Sequence, residues 1–201
     1  MDWERFWGCL EGVKRGDGEG MGAAGRQGGV EDLREGDEGD ADGDGVHGPV
    51  GGEGGVSREF VERMKAEVAA WPEELRRREI VIVEGFLLFG ESVREKAEEV
   101  FDVRILLRAT REAAQGRRGR RNGYVTLEGF WTDPEGYFEG VVWRGYVGEH
   151  GWIFEGGDVE GEGKGGTGVW VGGLGEGVEG VVGWVLGVVR GEVGRLVGEG
   201  M

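Results

Sequence analysis

The sequence is short of several things, and each shortage narrows the reading. It has one cysteine, Cys9, in 201 residues, so it holds no internal disulfide framework. Cys9 itself reads as a small, half-buried apolar residue. Histidine occurs twice. Neither His47 nor His150 can be placed beside a Ser or Cys nucleophile, so a hydrolase triad has no support. The N-terminus, MDWERFW, lacks a basic region followed by a long apolar core and is no secretory signal. The longest apolar stretch near the C-terminus, Gly180 to Val189, is about ten residues, too short to span a bilayer. Cations are outnumbered, with 24 Lys and Arg against 40 Asp and Glu. That balance argues against a general affinity for nucleic-acid backbone. The default is a soluble protein, cytoplasmic or also nuclear, with no nucleic-acid or membrane partner.

A phosphate-binding loop of the form GxxxxGK followed by Ser or Thr is also missing from these residues. The nearest approach is Gly163-Lys164, where Asp158 holds the first glycine position and Gly165 the final hydroxyl position. The loop needs a tight turn at its start and a hydroxyl for Mg²⁺ at its end, so both departures count.

Glycine, by contrast, is abundant, at 47 of 201. Each glycine adds entropy to the unfolded chain, so the protein should fold less stably than its length suggests. GxGxxG therefore recurs, starting at Gly20, Gly43, Gly161, Gly163 and Gly175, but none follows a convincing strand and opens a helix. Residues 16–56 are dominated by Gly, Asp and Glu and read as a disordered acidic insert. Within them Asp40, Asp42, Asp44 and Gly45 match the opening of a calcium-binding loop. Its twelfth position is Gly51 instead of Glu, and no flanking helix is evident, so a solvated linker is the better reading.

Ordered elements flank that insert. Asp2 to Lys14 suits a short helix, with residues 1–15 forming the first segment. Ser57 is an N-cap for a helix carrying Phe60, Met64, Val68 and Trp71 at helical spacing up to Pro72. Arg78 to Gly90, REIVIVEGFLLFG, carries the strongest signal. Four apolar β-formers, Ile80 to Val83, end on Glu84 and Gly85, as in a strand buried on both faces of a parallel sheet. Ligands in such sheets bind beyond the carboxyl ends of the strands. Glu84 is thus either an acid beside Mg²⁺ or only a polar residue closing a core strand. Ser92 to Glu99 reads as a short helix, Val103 to Leu107 as a second strand, and Gly168 to Val171 as a third. Thr110 caps a helix that runs through Arg117, Arg118, Arg120 and Arg121, either a solvated helix end or a cationic lid. The last helix spans about 176–197. Five interior glycines there cost roughly 5 kcal/mol of helix propensity, so it must be packed to persist. Strands alternating with helices predict an α/β class with parallel pairing.

The tracts IVIVEGFLLFG, the arginines before NGY, DPEGYFEGVVWRGYV and HGWIFEGGDVEG resemble fungal members of the nicotinamide riboside kinases, within the uridine-kinase-like branch of the P-loop kinases. The resemblance is good from about Ser57 to Gly161. Charged or alanine positions of the family appear here as Gly116, Gly119 and Gly148. It implies a P-loop NTPase-like parallel sheet with flanking helices, and a partial kinase-like domain over 57–201 with its lid at about 108–146. It implies transfer of the ATP γ-phosphate, with Mg²⁺, to the 5′-hydroxyl of nicotinamide riboside in NAD biosynthesis. Carried over by residue, Glu84 acts near Mg²⁺, directly or through water. Arg121 faces the ribose or phosphates, with Arg117 and Arg118 in support. Tyr124 lies against the base, Asp2 binds the ribose hydroxyls, and Asp133 and Tyr137 shape the lid's return.

The resemblance also places the P-loop, its helix and the catalytic-base aspartate upstream of Met1. The expected sheet is then incomplete. The strands at Ile80 and Val103 must pair directly, leave a gap, or recruit another segment. As written, the chain is expected not to bind ATP productively. The alternatives are a non-catalytic nucleoside-binding or interaction protein, and a poorly folding glycine-enriched relic.

Overall fold

The computed structural model describes residues 3–15, 55–120, 123–126 and 129–199. Nearly all of the acidic glycine-rich stretch, together with Asp2 and Arg121, lies outside the described residues. The chain divides into two units.

In the first unit, α1 (Trp3–Arg15) is built with residues 95–102, which include most of α4 (Arg94–Val100). Trp7, Ala97 and Val100 are buried, and Trp7 meets Phe101 edge-on at 5.8 Å between ring centroids. Lys14 ends α4. Its Nζ donates to the carbonyls of Glu99 at 3.0 Å and Val100 at 3.2 Å, and pairs with Asp102 at 3.0 Å. A cation there satisfies carbonyls that the helix leaves open at its C-terminus.

The second unit opens with α2 (Arg58–Ala69). The Ser57 hydroxyl accepts from the Phe60 amide at 3.2 Å, as the capping pattern predicts. Pro72 then breaks the run, and α3 (Glu73–Arg76) makes one further turn. Phe60, Trp71 and Leu75 are its buried apolar anchors.

The chain departs from expectation at Ile80 to Val83. This segment is not a strand. Among the described residues it joins no ladder and no bridge. Ile82 is 86% exposed, and Ile80 and Val81 are about half exposed. The cause is the absence of neighbours. An apolar strand in the middle of a parallel sheet needs a partner on each edge, and here none of the described strands flanks it. Direct pairing between this segment and the strand after Val103 is not seen among the described residues.

The parallel sheet that does form has two strands. β1 (Ile105–Leu107) pairs in parallel with a strand at Trp170–Gly172, Ile105 opposite Trp170. Both lie within one or two residues of their expected positions. Between them stand α5 (Arg111–Gly119), the antiparallel hairpin β2 (Tyr124–Thr126) and β3 (Gly129–Trp131), a π-helical stretch at Phe138–Trp143, and α6 (Arg144–His150). The strand at Trp170–Gly172 is β4, and α7 (Val178–Glu199) closes the chain. The described structure is therefore mostly helical, with a two-stranded parallel sheet in place of the fuller one expected.

The core of this unit sits in HGWIFEGGDV. Ile153, Phe154 and Val159 are buried, with Leu106, Trp143, Tyr146 and Val171 packed round them. At the edge of the sheet Gly172 is required by a close approach. A Cβ there would lie 2.6 Å from Cζ3 of Trp184 on α7. The next residue, Gly173, turns the chain at φ +91°, a region that favours glycine. Glu179 in the first turn of α7 accepts from the Ser57 amide at 2.8 Å and hydroxyl at 2.7 Å. These bonds, the hydroxyl's first, hold its carboxyl below the ordinary value.

Candidate functional site

The cationic helix and the segment that returns after it form the best-built polar cluster. Thr110 caps α5, its hydroxyl accepting from the Ala113 amide at 3.1 Å. From that start, Arg111 and Arg118 are seven residues apart, two helical turns, and share one face. That face meets residues 131–139. Arg111 pairs with Glu139, its Nε donating at 3.0 Å. Arg118 grips Asp133 with two guanidinium nitrogens: Nε donates to Oδ2, and Nη2 to Oδ1 at 3.0 Å. Such a fork on a carboxylate is the strong, directional form of ion pair. The Trp131 indole adds a third bond to Asp133 Oδ1 at 3.1 Å. The Arg118 guanidinium stands 5.7 Å from the centroid of the Tyr137 ring, and Trp131 meets that ring edge-on at 6.1 Å.

Three expected site residues, Arg118, Asp133 and Tyr137, are thus brought together. The cluster acts as a latch between helix and hairpin, with the Arg118 charge already matched by Asp133. Arg117, one position away, points off this face and is exposed. The two arginines lie on different faces of α5. Tyr124 opens β2, its backbone paired with Trp131. Trp131 and the Arg111–Glu139 pair went unforeseen. The seven-residue spacing of Arg111 and Arg118 was the signal that could have found them.

Glu84 stands apart. It is exposed, and among the described residues no hydrogen bond or ion pair joins it to the latch. The turn that follows it is strained, since Leu87 adopts φ +61°. Among the described residues no group of His, Cys, Asp or Glu is placed to hold a metal ion. Mg²⁺ wants a near-octahedral set of oxygens, and one exposed carboxylate does not make one. The residues described here do not by themselves fit Mg²⁺–ATP.

Two buried titratable groups flank the core. His150 is buried, and burial pushes its pKa down against the opposing hydrogen bond of its Nδ1 with the Tyr146 carbonyl at 3.1 Å. Burial likewise raises the Tyr146 phenol. Both read as packed residues. A groove of about 670 Å³ between α2, α3 and α7 is lined by Phe60, Met64, Val68, Val182, Leu186 and Ile80. Lys65, Arg76 and Arg78 also line it.

Comparison with known proteins finds three similar ones. The chain is 45% identical over 83 residues to the nicotinamide riboside kinase of Schizosaccharomyces pombe, covering 41% of this chain and 35% of that protein. It is 38% identical over 106 residues to the nicotinamide riboside kinase of Saccharomyces cerevisiae, 53% of this chain and 42% of that protein. The Eremothecium gossypii nicotinamide riboside kinase is 36% identical over 116 residues, again 42% of its length.

Over these stretches the chain is similar to the fungal nicotinamide riboside kinases. It spans less than half the length of the curated nicotinamide riboside kinases it matches. No family model and no solved structure matches it. Among the described residues no helix is long and apolar enough to cross a membrane.

Proposed function

We propose that this chain carries the lid side of an ATP- and Mg²⁺-dependent kinase acting on the 5′-hydroxyl of nicotinamide riboside, in a P-loop NTPase-like fold. The observation that carries this reading is the Arg118–Asp133–Tyr137 latch. It is built from residues that the resemblance to nicotinamide riboside kinases puts in the lid. Kinase lids supply cations that match the developing charge of the transferred phosphoryl group, and work by position and charge. With Arg118 held by Asp133, the cations left for that role are Arg117 and Arg121. Tyr124 is assigned to the base and Asp2 to the ribose hydroxyls. The domain runs over 57–201, and its place is the cytoplasm or also the nucleus.

The 201 residues alone are assigned no phosphoryl transfer, because no GxxxxGK[ST] loop occurs in their sequence. Turnover and binding separate these statements. The isolated chain is expected to show no ATP-dependent phosphorylation of nicotinamide riboside in a coupled assay. Measured turnover with ordinary Mg²⁺ dependence sinks that expectation. Calorimetric titration with nicotinamide riboside is expected to give saturable binding. A flat titration removes the substrate-side assignment. The exposed apolar segment after Arg78 favours a second reading, an interaction surface.

A further inference from the structure

The tract Glu155 to Gly161, EGGDVEG, carries part of the family resemblance, yet neither the latch nor the core accounts for its acidic residues. Val159 plugs it into the core. Its ends are tied together, the Glu155 amide donating to the Glu162 carbonyl at 3.0 Å and the Lys164 amide to the Ile153 carbonyl at 2.7 Å. Within it the Glu160 amide donates to Asp158 Oδ1 at 3.1 Å, and the Gly161 amide to the Asp158 carbonyl at 2.9 Å.

Arg108, the residue after β1, fixes this turn to the sheet. Its amide donates to the Gly172 carbonyl of β4 at 3.0 Å. Its Nη1 donates to the carbonyls of Val159 at 3.1 Å and Gly161 at 2.5 Å, the two that flank Glu160. Its guanidinium stands 5.2 Å from the centroid of the Phe154 ring. The backbone on either side of Glu160 is thereby held by one cation rooted at the end of the parallel sheet.

The Glu160 side chain reaches from that turn to the start of α5, where its Oε1 accepts from the Arg111 amide at 2.9 Å. First-turn amides lack partners within a helix, and the positive helix end favours a carboxylate there. Thr110, the other cap, belongs to the helix and moves with it. Glu160 comes from 49 residues along the chain and is anchored to the sheet. Arg111 also pairs through its side chain with Glu139, so it joins the sheet end, the helix and the returning segment.

We propose that Glu160 is a positioning residue for the lid, an assignment that rests on reading α5 and residues 131–139 as that lid. It fixes the base of α5 against the sheet. It thereby sets where the helix presents Arg117 and where Arg118 meets Asp133, about 10 Å further along.

Hydrogen exchange on the full chain tests this. Glu160 is exposed, so replacing it opens no cavity. Glu160→Ala is expected to speed exchange of the Arg111 amide about tenfold. It is also expected to speed exchange across β3 and the turn after it, through a loosened latch. Unchanged exchange at β3 makes Glu160 a local cap only and overturns the proposal. In an Arg118→Ala background the latch is already open, so adding Glu160→Ala is expected to change β3 by less than about twofold. A larger further change there shows a general loss of stability and also overturns it. Glu160→Gln keeps the accepting oxygen and is expected to restore protection at both places. A glutamine variant that behaves like the alanine one overturns the role of that oxygen. Calorimetry with nicotinamide riboside keeps the two readings apart. A parent chain that does not bind it removes the substrate-side assignment, while the exchange pattern decides the positioning of α5 by itself.

Discussion

Replacing four glycines of α7 by alanine should stabilise this protein. Gly183, Gly187, Gly191 and Gly194 are helical, and a Cβ built at each meets nothing within 4 Å. Gly180, where a Cβ would lie 3.5 Å from the Glu176 carboxylate, is left alone. Glycine in a helix interior costs about 1 kcal/mol relative to alanine. Most of that cost is unfolded-state entropy, so no new contact is needed to recover it. The four positions share no described partner, and their effects should add. The fourfold variant is expected to gain about 3–4 kcal/mol, or roughly 10 °C in Tm for a chain of this size. Urea unfolding followed by helical circular dichroism reads this directly, with the slope unchanged and the midpoint raised. Gly172→Ala is the control of opposite sign. Its Cβ would press on the Trp184 ring at 2.6 Å and is expected to cost about 1–3 kcal/mol. A fourfold variant that gains less than about 1 kcal/mol would refute the reasoning, by showing that α7 is not a formed, open-faced helix in solution.

Three further outcomes follow from single sites. Arg118→Ala removes both guanidinium bonds to Asp133 and is expected to cost about 1–3 kcal/mol, seen as faster hydrogen exchange across β3 and the turn after it; unchanged exchange would show that the latch contributes nothing. Leu87→Gly relieves a left-handed φ and is expected to be neutral or stabilising by about 1 kcal/mol, whereas Leu88→Ala, at a buried neighbour, should cost about 2–4 kcal/mol; equal losses on urea unfolding would contradict the strain. His150 is held below its ordinary pKa of 6.5, so the unfolded chain takes up a proton that the folded chain refuses. Stability from this site is complete above pH 6.5 and declines as pH falls from there towards the lowered folded value. Replacing His150 by Gln should flatten that part of the urea-midpoint profile, and an unchanged slope would remove the site from the account.

Helices were legible where the signal is local. Ser57 and Thr110 cap as their side chains require, Pro72 stops α2, and the valines of α7 fall at helical spacing. Strands were legible in position but not in partnership. Val103 to Leu107 and Gly168 to Val171 carry β-forming residues, yet nothing local says that they pair with each other. Ile80 to Val83 has the strongest strand signal of all and forms none. Its apolar pattern records an environment with a neighbour on each side, and such a pattern cannot supply the neighbours. Among the site residues, Arg118, Asp133 and Tyr137 converge because helix periodicity and a short return bring them together. Glu84 was assigned from its place at the end of a strand, and without the strand its position is not fixed.

The β1–β4 ladder carries a kinetic consequence. Ile105 faces Trp170, 65 positions later, through a ladder of three residue pairs. Closing a loop of that length costs about 4 kcal/mol of chain entropy beyond a constant. Three residue pairs cannot offset that at the start of folding. The order of assembly is therefore set elsewhere. α5, the hairpin and α6 are local and form first, and the Ile153–Phe154–Val159 cluster gathers them. Only then are β1 and β4 held close enough to zip. The parallel sheet is therefore expected to form last, and substitutions within it are expected to act on the unfolding rate and leave the folding rate nearly unchanged.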